Sequence, residues 1–365
     1  MLDPGQLPED ARKALQAVPE FEPDKHIGKG ANGEILLGYH RGIGKRVALK
    51  IYYFSEPKEA FDEPQLLCSV NHPNVLPVYD ARQVDPHTAV VITQEADGGD
   101  LGDLIRSGCS LREAVRILIG VVSGIAALQS PGFSLVHRDL KPENILLGSG
   151  QPLIADFGSV KKIPEARGAV SGSKHSILYQ PPEAFDPGEY YFNSDLYQAG
   201  VVGYELVGGD LPTDATAWLN RKQLREYRAK DDQFEKWAIV EAAMEQRICK
   251  GRLLRWDSLP GYVPRDLQRT LKKAVHVDSN QRLDSCGAFI AKLTAHLSNL
   301  PDWRRTGDGW QLMGWRGKDF ELRSGSPVVV RKRTEGGIWR KEAKLTADTA
   351  HQALSYLAEQ YGVPI

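Results

Sequence analysis

The sequence predicts an α+β chain of two lobes, the first β-rich and the second helical, followed by a small β-sheet-plus-helix unit. Short β-prone runs separated by turn residues fill positions 21–96. Helical periodicity takes over after Gly98-Gly99. A third segment, after Pro301, carries four of the seven tryptophans at strand-like spacing. Length agrees, since 365 residues exceed one domain of about 100–200 and allow two or three folding units. The 41% apolar and 25% charged content is that of a globular protein, which excludes collagen-like, mucin-like and wholly disordered chains. With 46 basic and 47 acidic residues, the surface is not built to attract nucleic acid or anionic membrane as a whole.

The elements follow in order. Residues 1–20 read as a polar lead-in with one helical stretch, 9–17. Strands are expected at 35–37, 47–49, 75–79 and 90–92, with one helix near 61–70. Gly- and Asp-rich residues 95–100 suit a hinge between lobes 21–96 and 97–300. Helices are expected at 101–105, 111–128, 195–207 and 266–275, and a long charged helical stretch at 213–262. The most apolar run, 117–128, contains Gly120, Ser123 and Gly124; it is too short to span a bilayer and reads as a buried helix. In 301–365, strands are expected at 309–315, 320–323, 328–333 and 338–341, then a helix over 347–361 capped by Thr346, a βββα-like unit. The opening residues show no basic-then-apolar leader. Cys68, Cys109, Cys249 and Cys286 are spaced for neither zinc nor disulfides, so buried thiols in a reducing cytoplasm are expected.

Gly28-Lys29-Gly30-Ala31-Asn32-Gly33 opens the chemistry. A dinucleotide-binding loop would lead into a helix, but a strand follows at 34–37. A Walker-type loop needs Ser or Thr after Gly-Lys, and Gly44-Lys45 is followed by Arg46. A glycine hairpin folded over phosphates fits, because glycine admits close approach of backbone N–H groups. In Val47-Ala48-Leu49-Lys50, Ala48 is small enough for a flat base to pack on it, and Lys50 can reach polyphosphate oxygens. A buried ammonium also needs an anion, for which Glu63 is the candidate.

The deciding run is His137-Arg138-Asp139-Leu140-Lys141-Pro142-Glu143-Asn144, with Asp156-Phe157-Gly158 downstream. In this order and spacing, the chain resembles the eukaryotic-like (Hanks-type) serine/threonine protein kinase family over about residues 21–298; residues 301–365 resemble no family. The resemblance implies a bilobal protein-kinase fold and transfer of the γ-phosphoryl of ATP to Ser/Thr hydroxyls of proteins, with autophosphorylation. Asp139 would orient the hydroxyl and accept its proton, and Lys141 would steady the γ-phosphoryl. Asn144 and Asp156 would hold Mg²⁺, or Mn²⁺, through hard oxygen donors. Lys50 would contact the α- and β-phosphates, held by Glu63. Gly28, Gly30 and Gly33 would cover the phosphates. Ile27, Ile35, Ala48 and Leu146 would enclose the purine, with Thr93 as gatekeeper and backbone groups of Gln94 and Ala96 on its edge. A small gatekeeper implies a roomy pocket. Pro181-Pro182-Glu183 stands where the family has Ala-Pro-Glu, with Arg282 as ion-pair partner. Asp195 matches an acid that anchors the catalytic loop, and Leu67, Val78, His137 and Phe157 an apolar column joining the lobes.

Several residues depart from the pattern. Pro64 follows Glu63 and would distort a helix or confine Glu63 to its first turn, making the Lys50–Glu63 pair conditional. Asn32 stands at the loop tip, where relatives carry an aromatic. Ser176 falls where the family's Thr meets the catalytic Asp and Lys, an architectural role. Ser171 and Ser173 are candidates for autophosphorylation, with Arg138 as partner for the phosphate. A nucleotide-binding pseudokinase scaffold and a small-molecule kinase are the alternative readings. Residues 301–365 are expected to engage a regulatory protein; their net +3, with Arg331-Lys332-Arg333 and Arg340-Lys341, is weak support for nucleic acid.

Overall fold

The computed structural model describes residues 7–30, 33–53, 67–166, 168–171, 176–307, 309–325, 327–334, 336–342, 345 and 347–365. The first lobe is a five-stranded antiparallel sheet of β1 (Phe21–Gly30), β2 (Gly33–His40), β3 (Lys45–Tyr53), β4 (Val78–Asp85) and β5 (Thr88–Gln94), in the order β1-β2-β3-β5-β4. Strand alternation sets its two faces. Val47, Leu49 and Ile51 of β3 are buried on one, so Ala48, Lys50 and Tyr52 fall on the other. The first face is closed by α1 (Glu9–Gln16), where Ala11 and Ala14, with Leu7 and Val18, share a core with Leu36, Leu49 and Ile92. Part of the expected lead-in is therefore a cover for the sheet.

The run 75–79 does not form one strand. Val75 bridges to Ile154 and the Leu76 N–H donates to the Ile154 carbonyl at 2.9 Å, whereas β4 starts at Val78. Pro77, which has no N–H, separates the two pairings. The expected helix at 61–70 lies mostly outside the described residues.

In the second lobe, α2 (Leu101–Ser107) precedes the central helix α3 (Leu111–Leu128), which begins in a capping box between Ser110 and Glu113. Its glycines permit contact no larger residue would. A Cβ on Gly124 would stand 2.5 Å from the Asn74 carbonyl oxygen, and one on Gly120 2.5 Å from the Pro152 ring. Short hairpins β7 (Ile145–Gly148)–β8 (Gln151–Ile154), with β6 (Leu135–Val136) on β9 (Lys161–Lys162) and β10 (Val170–Ser171) on β11 (Glu189–Tyr190), carry the loops at the lobe junction. Beneath them lie α4 (Phe192–Leu206), α5 (Arg221–Ala229), α6 (Gln233–Cys249), α7 (Arg265–Ala274) and α8 (Cys286–Leu297). Trp218, expected within the charged helical stretch, closes a separate 3-10 turn before α5.

The C-terminal unit is a five-stranded antiparallel meander of β12 (Trp303–Thr306), β13 (Gly309–Trp315), β14 (Lys318–Arg323), β15 (Val329–Thr334) and β16 (Arg340–Lys341), with α9 (Ala350–Tyr361) packed on it. Strand β12 adds to those expected. Helix α9 starts later than expected: Ala347 bridges to Val328, and Thr349 is the cap, accepting the Gln352 N–H. Thr346 lies outside the described residues. Trp303 is fully buried and stacks on Tyr262 of the second lobe at 5.6 Å, so one apolar core runs through both units. Cys286 is buried as expected, but Cys68 and Cys249 are exposed. Cys68 lies in a turn and Cys249 is the last residue of α6, surface positions where a small thiol costs little to leave in water. Among the described residues, no helix is long and apolar enough to cross a membrane.

Candidate functional site

The loop between β6 and β7 is held from below by its main chain. Asp195, wholly buried near the start of α4, accepts the His137 N–H at 3.0 Å and the Arg138 N–H at 3.1 Å. Burial raises the Asp195 carboxyl above its ordinary range, although both N–H donors favour its charge. Gln198, one helical turn on, accepts the Leu140 N–H at 2.9 Å and donates to the Arg138 carbonyl at 3.2 Å. The His137 Nε2–H donates to the Ala155 carbonyl at 2.8 Å, and its ring meets Phe157 edge-on at 6.1 Å. Leu67, Val78 and Phe157 are buried in one core, as the expected apolar column requires.

This support fixes the polar groups above it. Asn144 donates to the Asp139 carbonyl at 2.7 Å and to Asp139 Oδ2 at 3.0 Å. Lys141 Nζ lies 3.3 Å from Asp139 Oδ2 and donates to Ser176 Oγ at 2.7 Å. The other carboxylate oxygen, Asp139 Oδ1, is buried with no hydrogen-bond partner among the described residues. Arg138, Asp156 and Ser176 all have positive φ, at 68°, 57° and 43°. Non-glycine residues are rarely held so unless their surroundings dictate it, and such positions cluster at functional sites. Below Ser176, Glu183 forms a two-point pair with the fully buried Arg282, both bonds at 2.6 Å.

From the first lobe, Lys50 Nζ reaches Asp156 Oδ1 at 2.5 Å. Tyr52, two residues on, donates its hydroxyl to the same oxygen at 3.3 Å. Burial, and then the Asp156 charge, drive the phenol far above its usual range. Lys50, Ala48, Ile27, Ile35, Thr93, Gln94, Ala96, Leu146, Lys141, Asn144 and Asp156 line one cavity of about 940 Å³ between the lobes. Thr93 is buried and bonds the Gln94 carbonyl at 3.2 Å. The roomy pocket expected from a small gatekeeper is shared with Leu76 and the Tyr52 ring, which line the same space. The hinge is stitched to β7, because the Gly98 N–H donates to the Leu147 carbonyl and the Leu147 N–H to the Gly99 carbonyl, each at 2.9 Å.

Some expectations meet other partners or fall outside. Glu63, Pro64, Asn32 and Ser173 lie outside the described residues. Gly30 and Gly33 pair across the β1–β2 hairpin, and Gly28 pairs with Ile35, which gives the loop its hairpin form. Arg138 spends its donors on carbonyls, Nε on Ser159 at 2.7 Å and Nη1 on Ser171 at 2.6 Å. Lys161 Nζ approaches the Ser171 hydroxyl at 3.5 Å. Sequence reading missed Gln198 and Tyr52. Each carried a signal: Gln198 is i+3 from Asp195 on one helix face, and Tyr52 is i+2 from Lys50 on one strand face.

The donor set suits a small, hard cation. Both Asn144 amide protons serve Asp139, leaving its oxygen, with the Asp156 carboxylate, as ligand atoms. Among the described residues no cluster of three or more His, Cys, Asp or Glu is arranged for a metal. Two protein oxygens plus phosphate and water are the sparse arrangement that Mg²⁺ prefers.

A model of the protein kinase domain family matches residues 21–296. The serine/threonine-protein kinase pkn2 of Myxococcus xanthus is 30% identical over 230 residues, 59% of this chain and 26% of that protein. The 3-phosphoinositide-dependent protein kinase 1 of Arabidopsis thaliana is 31% identical over 220 residues, 55% of this chain and 44% of that protein. The serine/threonine-protein kinase PknD of Protochlamydia amoebophila is 26% identical over 321 residues, 76% of this chain and 30% of that protein. The chain thus spans less than half the length of these curated relatives. With the family model covering both lobes and the loops between them, the chain belongs to the protein kinase domain family.

Proposed function

We propose that the chain is an ATP-dependent protein serine/threonine kinase, with Mg²⁺ as the metal and Mn²⁺ able to replace it. The observation that carries this reading is the buried, unpartnered Oδ1 of Asp139, whose Oδ2 is held by Lys141 and Asn144, two residues that line the cavity together with Lys50 and Asp156. Asp139 accepts the proton of a Ser or Thr hydroxyl at Oδ1, while Asn144 and Lys141 hold Oδ2 and so fix the direction of attack. Lys141, drawn between Asp139 and Ser176, contributes positive charge where the transferred group carries negative charge. Lys50 exchanges Asp156 for phosphate oxygens. Bound Mg²⁺, held by Asn144 and Asp156, supplies neutralisation of the triphosphate charge. Ile27, Ile35, Ala48 and Leu146 enclose the base, with Gln94 and Ala96 at its edge.

Autophosphorylation at Ser171 or Ser173 belongs to the same reading, and the ammonium of Lys161 near Ser171 supports it. The exposed free thiol of Cys249 supports action in a reducing, cytoplasmic compartment. Residues 301–365 are read as a surface for a regulatory protein. Support comes from the β14–β15 face, where Asp319 and Glu321 are largely covered by Arg333, Arg323 and Arg331.

The test is transfer of labelled γ-phosphate from Mg·ATP to a generic basic protein by the full chain, followed by acid hydrolysis. Label is expected in phosphoserine or phosphothreonine, with a loss of at least about 100-fold in Asp139→Ala. Undiminished transfer by that variant would refute the assignment.

A further inference from the structure

Tyr52 occupies a position that the nucleotide reading does not use. It shares the cleft face of β3 with Ala48 and Lys50, is 5% exposed, and lines the cavity. Its contacts converge on Asp156-Phe157-Gly158. The hydroxyl donates to Asp156 Oδ1 at 3.3 Å. The ring lies so close to Gly158 that a Cβ there would stand 2.8 Å from Cε1. On the other side, Lys50 Nζ sits 4.8 Å from the ring centroid, within the range of a cation–π contact.

We propose that Tyr52 is a positioning residue for phosphoryl transfer: its hydroxyl orients Asp156 toward the metal, and its ring seats Lys50 beside the phosphates. The proposal rests on the kinase reading above. A phenylalanine would fill the same volume without burying a polar oxygen, and such an oxygen is costly unless bonded. Here that hydroxyl donates to a carboxylate, so it is matched to Asp156 and not only to packing. Lys50 and Tyr52, both bonded to Asp156 Oδ1, differ in mobility. Lys50 carries its charge on a flexible four-carbon stem and moves readily to arriving phosphate oxygens. The Tyr52 hydroxyl is fixed by a buried ring and stays, so the carboxylate keeps its orientation when its ion pair opens.

The test is Tyr52→Phe in the full chain, with ADP binding followed by isothermal titration calorimetry, with and without Mg²⁺, beside steady-state transfer across a Mg²⁺ series. The hydroxyl's loss is expected to cut the Mg²⁺-dependent gain in ADP affinity about tenfold, in keeping with one bond to a charged group. It should raise the Mg²⁺ concentration for half-maximal transfer by a similar factor. ADP affinity without Mg²⁺ should change less than about twofold, because the ring still seats Lys50. Tyr52→Leu, lacking the ring as well, should lower the Mg²⁺-free affinity too. A purely packing role predicts equal losses with and without Mg²⁺, and that result would overturn the proposal. So would unchanged Mg²⁺ dependence in Tyr52→Phe, or faster transfer, which would make the hydroxyl a restraint. Wild-type protein whose ADP binding gains nothing from Mg²⁺ would overturn the kinase reading and this proposal together; a wild-type gain retained in the variant overturns this proposal alone.

Discussion

Glu205, near the end of α4, tests how the segment after Ser176 is held. Its part-buried carboxylate receives the Tyr179 hydroxyl at 2.9 Å. Burial pushes its carboxyl from 4.5 up to about 7; the nearby Glu143 charge adds to this, while the Tyr179 bond opposes it. The unfolded chain gives up the same proton near its ordinary value. Between those two pH values the folded protein binds more protons than the unfolded chain, so unfolding free energy falls as pH rises through the window. Below about pH 4.5 no penalty exists, and above about pH 7 it is complete, at about 3 kcal/mol.

Glu205→Gln keeps the shape and leaves an oxygen for Tyr179 to donate to, but cannot ionise. Urea unfolding of wild type and variant at pH 5 and pH 8 isolates the effect, because every other titrating group is common to both. The stability of the variant relative to wild type should rise by roughly 2–3 kcal/mol between the two pH values. Parallel pH profiles for the two proteins would refute the reasoning, since they would mean that Glu205 ionises in the folded state as easily as in the unfolded one.

Two further outcomes follow from the packing. Arg282→Ala leaves Glu183 buried without its guanidinium and should cost about 3–5 kcal/mol; in a double-mutant cycle of denaturant midpoints, Glu183→Gln combined with Arg282→Met should lose less than the sum of the single losses. Thr349→Ala removes the side-chain acceptor for the Gln352 N–H and should cost about 1 kcal/mol, read as faster amide hydrogen exchange confined to the first turn of α9.

The loop chemistry was legible because its groups come in contiguous polar runs whose spacing is fixed by backbone geometry. Asp139, Lys141 and Asn144 lie within one turn of chain, and the structure finds them bonded to one another. Residues that act across the fold were not legible in this way. Tyr52 meets Asp156 across 104 positions, and a tyrosine in an apolar strand reads first as core. The same limit hid the role of α1, expected as a helix but not as a cover for the sheet: Leu7, Ala11, Ala14 and Val18 recur at helical spacing, yet two of the four are alanines, too small to stand out as an apolar face. Strand β12 reads Trp-Arg-Arg-Thr and carries little β-signal of its own, because its single large apolar side chain finds its partner in Tyr262 of another unit. The start of α9 was set too early for the opposite reason. Apolar periodicity extends back through Ala347, while the cap that ends it, Thr349 with Gln352, follows the spacing of a capping box.

The two lobes hold their shares of the site by different means, and this bears on how it works. In the second lobe the loop between β6 and β7 is tied by backbone groups: Asp195 takes two N–H donors, and Gln198 a third plus a carbonyl. These partners sit on a helix packed against α3 and need no ligand to stay in place. In the first lobe the link is made by side chains, Lys50 and Tyr52 on Asp156, at the end of a strand whose far face is closed by α1. Ion pairs on long stems can exchange partners, whereas main-chain bonds to a buried acid exchange only at the cost of leaving polar groups unsatisfied. On the proposed kinase reading, Asp139 is therefore preorganised before any nucleotide arrives, and the adjustable half of the site is the one that would receive phosphates. A kinase of the kind proposed, which would place fixed charge around a mobile, highly charged group, gains most when the groups guiding the acceptor hydroxyl do not have to reorganise.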